Sequence, residues 1–167
     1  NKMRNKKLSK LIVILGPTAS GKTNLTIKLA KKFNGEIVSA DSRQIYKEMN
    51  IATAKPSRIQ KSKIRNQKYL VKSIPHYLID VVWPNQEFNV AIYKKMAIKV
   101  IRDIQKRKKI PFLVGGTGLY IRAIVDNVEF PKVPPQKKLR EKLEKKTEKE
   151  LLKIYKKLDS EGAKFIE

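Results

Sequence analysis

"LIVILGPTASGKT" occupies residues 11–23, and its two halves decide the fold between them. Residues 11–15 are a short, fully apolar, β-branched run, the pattern of a buried parallel strand. Residues 16–23 then fit Gly-x-x-x-x-Gly-Lys-Thr, with Gly16, Pro17, Thr18, Ala19, Ser20, Gly21, Lys22 and Thr23 as the loop. Glycines at its two ends let the backbone curl until successive N–H groups point inward at an anion. A helix starting at the loop adds its positive end, Lys22 adds a point charge, and the Thr23 hydroxyl can ligate Mg²⁺. Strand, loop and helix together predict a phosphate-binding loop; ATP, GTP and diphosphate esters remain equally possible ligands.

Working outward, Leu25, Leu29 and Ala30 keep helical spacing up to Phe33, and "NG" at 34–35 stops the helix. "EIVSA" (36–40) reads as a second strand ending on Asp41. The βαβ unit predicts an α/β protein: an open parallel sheet flanked by helices, with 11–15, 36–40 and 112–115 as neighbouring core strands. "HYLIDVV" (76–82) reads as a strand or strand end. Beyond Asn89, the residues Tyr93, Met96, Ala97, Val100, Ile101 and Ile104 make an apolar helix stripe. "IPFLVGGTG" is a further buried strand with a glycine turn, and "LYIRAIV" opens a new helix.

Between them, residues 55–72 carry seven Lys/Arg and no acid, which predicts a surface loop or short helix. Composition changes at "FPKVPP" (130–135), where residues 132–157 carry eleven Lys/Arg against four Glu. Leu139, Leu143, Leu151, Leu152, Tyr155 and Leu158 recur there at helical spacing. The boundaries expected are a core over 8–130 and a helical segment over 131–167, helical from 135 to 158.

The chain has 167 residues, 39 Lys+Arg against 15 Asp+Glu, and a net charge of +24. Such an imbalance draws polyanions by counterion release, and nucleic acid is the first partner to expect. With no cysteine and one histidine, His76, neither a disulfide framework nor a Cys- or His-based metal cluster is available. No apolar run approaches the roughly 20 residues that span a bilayer, and the basic N-terminus lacks the apolar region of a signal peptide. The expectation is a cytoplasmic, soluble protein with no membrane partner.

Asp41 stands at the carboxyl end of its strand, the edge where open parallel sheets bind ligands. It should face the loop across the crevice, where a carboxylate can orient or deprotonate a nucleophile or hold a metal. Alternatively it is a helix N-cap, with "DSRQ" beginning another helical turn. Asp80, behind "YLI", reads as a strand-end turn residue with a metal role open. Thr117 in "GGTGLY" (115–120) offers a hydroxyl or a helix cap on the same edge, and plain strand-to-helix packing explains it equally well.

"GPTASGKT", "SADSRQIYKEMNIATAKP", "PHYLID" and "FLVGGTGLYIRA", in this order, resemble the tRNA dimethylallyltransferases (isopentenyltransferases) from about residue 11 through 167. That resemblance implies a P-loop NTPase-like fold with the start of a helical tRNA-binding insertion. It also implies dimethylallyl diphosphate at the loop, Mg²⁺ through Thr23, and an acceptor amine on the adenosine 3′-adjacent to a tRNA anticodon. Asp41, Lys22 and Thr117 would be catalytic. Asp41, Ser42, Arg43, Gln44 and Thr117 would contact the flipped-out adenosine, and Arg140 the tRNA. The protein would act as a monomer. Departures from the pattern are Ala52 for glycine, a longer basic stretch before "PHYLID", and a length about half that of family members. A phosphate-loop kinase, with the same loop, Asp41 and Mg²⁺, is the enzymatic alternative, and a basic RNA-binding remnant the non-enzymatic one.

Overall fold

Four parallel runs make up one side of the six-stranded sheet. They are β1 (Ile12–Leu15), β2 (Gly35–Ser39), β5 (Ile74–Tyr77) and β6 (Ile110–Gly115). The computed structural model describes residues 10–51, 53–56, 60–61 (backbone only), 69–131, 133 and 136–166. Ala52 and the middle of the basic 55–72 stretch lie outside them. Sheet order is β1-β6-β2-β5-β4-β3, with β3 (Gln60–Lys61) and β4 (Tyr69–Val71). The first four are parallel, with Ile12, Phe112, Ile37 and His76 in one row. β4 and β3 continue the sheet antiparallel. The three expected core strands are neighbours, β6 lying between the other two.

Alternation along the strands sorts their side chains onto two faces. Ile37, Phe112 and Val114 pack with Ile27 and Ala30 of α1 (Lys22–Lys32). Val38, Ala40 and Leu113 pack with Tyr93, Ala97, Ile101 and Ile104 of α2 (Val90–Lys106), and with Tyr120 and Ile121 of α3 (Gly118–Val125). α2 follows the expected stripe, and the Asn89 side chain accepts from Ile92 N–H at its start. Tyr93 and Tyr120 stack with centroids 3.9 Å apart, and the Tyr93 hydroxyl donates to Ser39 O at 3.0 Å.

Two expectations change. "LIVIL" reads as a buried strand, yet among the described residues β1 pairs only with β6, and Val13 and Leu15 are 38% and 59% exposed. Apolar composition reports what a strand can bury, not whether a neighbour is there to cover it. Residues 55–72 read as a loop or short helix, yet their described parts at 60–61 and 69–71 form β3 and β4. Tyr69 and Val71 alternate inward there, a two-residue pattern too short to stand out among seven cations.

At the amino end of β2 a buried carboxylate is held by three partners. Glu36, 1% exposed, accepts from Arg107 at 2.6 and 2.7 Å, from Lys109 at 2.8 Å and from the Tyr77 hydroxyl at 2.6 Å. Burial alone would raise its pKa, but the hydrogen bonds from Arg107, Lys109 and Tyr77 outweigh this and hold it at about 2. Tyr77 is pushed upward by burial and by the Glu36 charge.

The chain divides into two compact units, Asn1–Phe130 and Pro131–Glu167. In the second, the helical segment expected over 135–158 consists of two helices, α4 (Lys137–Glu144) and α5 (Glu148–Leu158), with α6 (Ser160–Ala163) after them. Thr147 causes the break. Its hydroxyl accepts from Glu150 N–H while the Glu150 carboxylate accepts from Thr147 N–H, a reciprocal cap that starts a new helix. Leucine spacing alone runs smoothly through this point, so periodicity hid it.

Candidate active site

The loop after β1 curls as its glycines allow. Gly21 lies at φ +80°, a left-handed conformation that side chains resist, and Ala19 shares that region at φ 65°. Gly16 N–H reaches Gly115 O at 3.4 Å, and Leu25 N–H bonds Gly21 O at 3.1 Å as α1 begins. The Lys22 ammonium folds back over the loop onto Pro17 O and, at 3.4 Å, Ser20 Oγ. On the neighbouring strand Gly115 passes so close to Ala40 that a Cβ would lie 2.1 Å from Ala40 O. Glycine at 115 thus lets the ends of β6 and β2 approach.

Across the crevice, Asp41 Oδ1 accepts from Arg43 N–H at 2.9 Å and Gln44 N–H at 3.2 Å. The capping reading of this residue is therefore realised over a turn rather than a helix. The ligand-facing reading is compatible with it, because Asp41 also lines the loop's cavity. That cavity, about 290 Å³, is walled by residues 18–24 of the loop and helix start, by Asp41 and Gln44, and on its inner side by Ile37, His76, Ile79 and Val114. Anion donors, a carboxylate and an apolar wall thus share one space.

The other expected residues take distinct places. Thr117 is at the start of α3 but does not cap it; its hydroxyl accepts from Ser42 N–H at 2.9 Å, and its own N–H bonds Ala40 O at 3.1 Å. It does not line the cavity and holds the turn that carries Ser42. Gln44 accepts from Ser39 Oγ at 3.2 Å and donates to Thr53 O and Ala54 O, tying the "TAKP" segment to β2. Arg43 is exposed beside Asp41. Asp80 is the strand-end residue expected: at φ 54° it pairs with Lys55 at 2.6 Å, whose side chain is 4% exposed. Arg140 is exposed on α4, in the second unit.

His76, solitary in the sequence, joins the site as well. It is 3% exposed and lies on the α1 face of β5, in the cavity wall. A single polar residue inside an apolar strand was the available signal.

Mg²⁺ fits this donor set in one way. Among the described residues no group of three His, Cys, Asp or Glu could hold a metal. A cation that keeps its waters and binds phosphate oxygens needs only one or two protein oxygens, and Thr23 and Asp41 line the same cavity.

An α/β sheet with a glycine loop between its first strand and helix, facing an acidic strand end, defines a phosphate-loop protein. The chain belongs to the IPP transferase family, whose model matches residues 44–167. The loop and Asp41 precede that match and are covered by whole-chain relatives instead. A tRNA dimethylallyltransferase of Halothermothrix orenii is 51% identical over 95% of this chain and 46% of its own length. One from Caldicellulosiruptor saccharolyticus is 47% identical over 93% and 48%. The structure of a eukaryotic dimethylallyltransferase acting on tRNA superposes with a TM-score of 0.76 at 31% identity, covering 93% of this chain and 37% of that one. The tRNA isopentenylpyrophosphate transferase of Bacillus halodurans gives 0.63 at 34% identity, over 95% and 50%. The chain spans about half the length of the relatives it matches. Among the described residues no helix is long and apolar enough to cross a membrane.

Proposed function

We propose that this chain carries the donor-binding and reacting core of a tRNA dimethylallyltransferase. The reaction transfers the dimethylallyl group of dimethylallyl diphosphate to N6 of the adenosine 3′-adjacent to the anticodon. One observation carries the reading: Asp41 and the phosphate loop line a single cavity. A kinase needs the loop just as much, but the family match and the relatives' names favour prenyl transfer.

In this reading the loop N–H groups and the Lys22 ammonium hold the diphosphate. As the C1–O bond breaks, charge gathers on the leaving diphosphate, and the same donors stabilise it. A bound Mg²⁺, held through Thr23, would supply further charge neutralisation there. N6 of the adenosine forms the new bond to C1, and its proton passes to the Asp41 carboxylate. The bonds from Arg43 and Gln44 to Oδ1 keep that carboxylate turned to the crevice. The adenosine must leave its stack to reach it, and Ser42, Arg43 and Gln44 lie beside the entry. Thr117 acts through Ser42, as a positioning residue. Arg140 and its basic helices bind tRNA phosphates.

The test is transfer of a labelled dimethylallyl group to an anticodon stem-loop, run beside ATP hydrolysis. It is done with the chain and with the H. orenii relative. Prenylated adenosine is the expected product. ADP formed with a small acceptor and no prenyl transfer would replace this reading with a kinase.

A further inference from the structure

Among the described residues, His76 Nε2 is the buried side-chain polar atom with no hydrogen-bond partner. Its tautomer follows from its other nitrogen. Nδ1 lies 2.9 Å from Ile74 O, and a carbonyl only accepts, so Nδ1 carries the proton. Nε2 is therefore a bare lone pair. An acceptor buried without a donor is costly, and such groups in folded proteins call for a specific explanation. The ring lies in the wall of the phosphate-loop cavity. Among the described residues no neighbouring group serves it. Lys22 is turned to Pro17 O and Ser20 Oγ, Thr26 Oγ1 donates to Lys22 O, and Tyr69, opposite His76 on β4, donates to Pro56 O.

We propose that His76 is a ligand-contacting residue of this cavity, its Nε2 sharing a proton with a non-bridging oxygen of a bound diphosphate. This rests on the reading of the cavity as a diphosphate-donor site. A fully ionised diphosphate brings acceptors only. One proton taken from solvent, lying between oxygen and Nε2, satisfies both atoms. No covalent bond changes, and the complex holds one proton more than the separate partners.

Among the described residues the charged groups lining the cavity are Lys22 and Asp41; Tyr69 lies across from the ring on β4, and Glu36 on β2 points to the opposite face with Tyr77. Burial keeps the free imidazole below its usual pKa, so the ring enters the complex neutral. The anion then reverses that preference, since it favours a cation or a shared proton beside it.

The chain's one histidine makes the test direct. With ¹⁵N-histidine, the Nε2 resonance should sit at its unprotonated position in the free protein and move toward the protonated one when inorganic pyrophosphate or dimethylallyl diphosphate saturates the site. Calorimetry in two buffers of different ionisation enthalpy should show proton uptake on binding. His76→Gln should weaken pyrophosphate binding about tenfold and abolish the part of the uptake due to the ring. An Nε2 resonance unmoved at saturation would overturn the proposal whatever the variant does. Saturable pyrophosphate binding with the shift but without prenyl transfer would sustain this inference and sink the proposed activity. Prenyl transfer with an unmoved ring would do the reverse.

Discussion

Thr117 Oγ1 accepts a hydrogen bond from the Ser42 backbone N–H at 2.9 Å, across 75 residues of chain. This bond fastens the turn after β6 to the turn that presents Asp41. Thr117→Val keeps the shape and removes the acceptor. Expected are a stability loss of about 1 kcal/mol and a larger fall in turnover than in donor affinity, with Thr117→Ser restoring both. Thermal unfolding beside single-turnover prenyl transfer checks this; equal losses for Ser and Val would show that the hydroxyl is not what matters.

Asp41→Asn preserves the Oδ1 acceptor that Arg43 and Gln44 use, so the turn should persist while the proton acceptor is lost. Turnover should drop by roughly 10²–10⁴ with dimethylallyl diphosphate still bound. Lys22→Ala, in contrast, should weaken donor binding itself, because its charge faces the diphosphate before reaction. Equilibrium binding of the donor run beside rapid-quench transfer separates the two, and a near-normal rate in Asp41→Asn would remove Asp41 from the chemistry.

Glu36 sets an acid limit on stability. Its folded pKa is depressed to about 2 from a reference of 4.5, so its contribution is present above about pH 4.5 and is lost as pH falls toward 2. Glu36→Gln should cost about 2–4 kcal/mol at neutral pH by leaving Arg107 and Lys109 without their buried partner. Urea unfolding at pH 7, 4.5 and 3 should show the gap between wild type and variant narrowing on acidification. A constant gap would mean that the carboxylate charge is not the source.

Binding of an anticodon stem-loop should weaken steeply with salt, by about 0.9 log units per log unit of salt for each phosphate contact. Arg140→Ala should lower that slope by about one contact and leave pyrophosphate affinity unchanged. Titrations between low and moderate salt decide it; affinity independent of salt would separate the basic surface from RNA binding.

The loop and α2 were legible because their signals are local: glycine spacing in one, an apolar stripe in the other. What escaped was set by distant pairing. Whether "LIVIL" is flanked on both sides depends on which strand lies next to it, and that β6 enters between β1 and β2 is a matter of topology. His76 gains its place from its register with Ile37, 39 positions away, and Glu36 from cations 71 and 73 positions away. Sequence cannot choose between capping and ligand-facing for Asp41, because one carboxylate does the first while lining the cavity.

Glu36 and Asp41 belong to one short rod of backbone. Five residues at about 3.3 Å each set them roughly 17 Å apart, where two unit charges interact by only about 1 kcal/mol at an effective dielectric of about 20. The rod is clamped at its base and, in the proposed function, carries the proton acceptor at its tip. A change of charge at the tip is little felt at the clamp, and a loosened clamp need not misplace the tip, which has its own tether through Thr117. Variation can therefore adjust how long the protein survives and what it does along separate axes, although both are carried by β2 and the two residues that follow it.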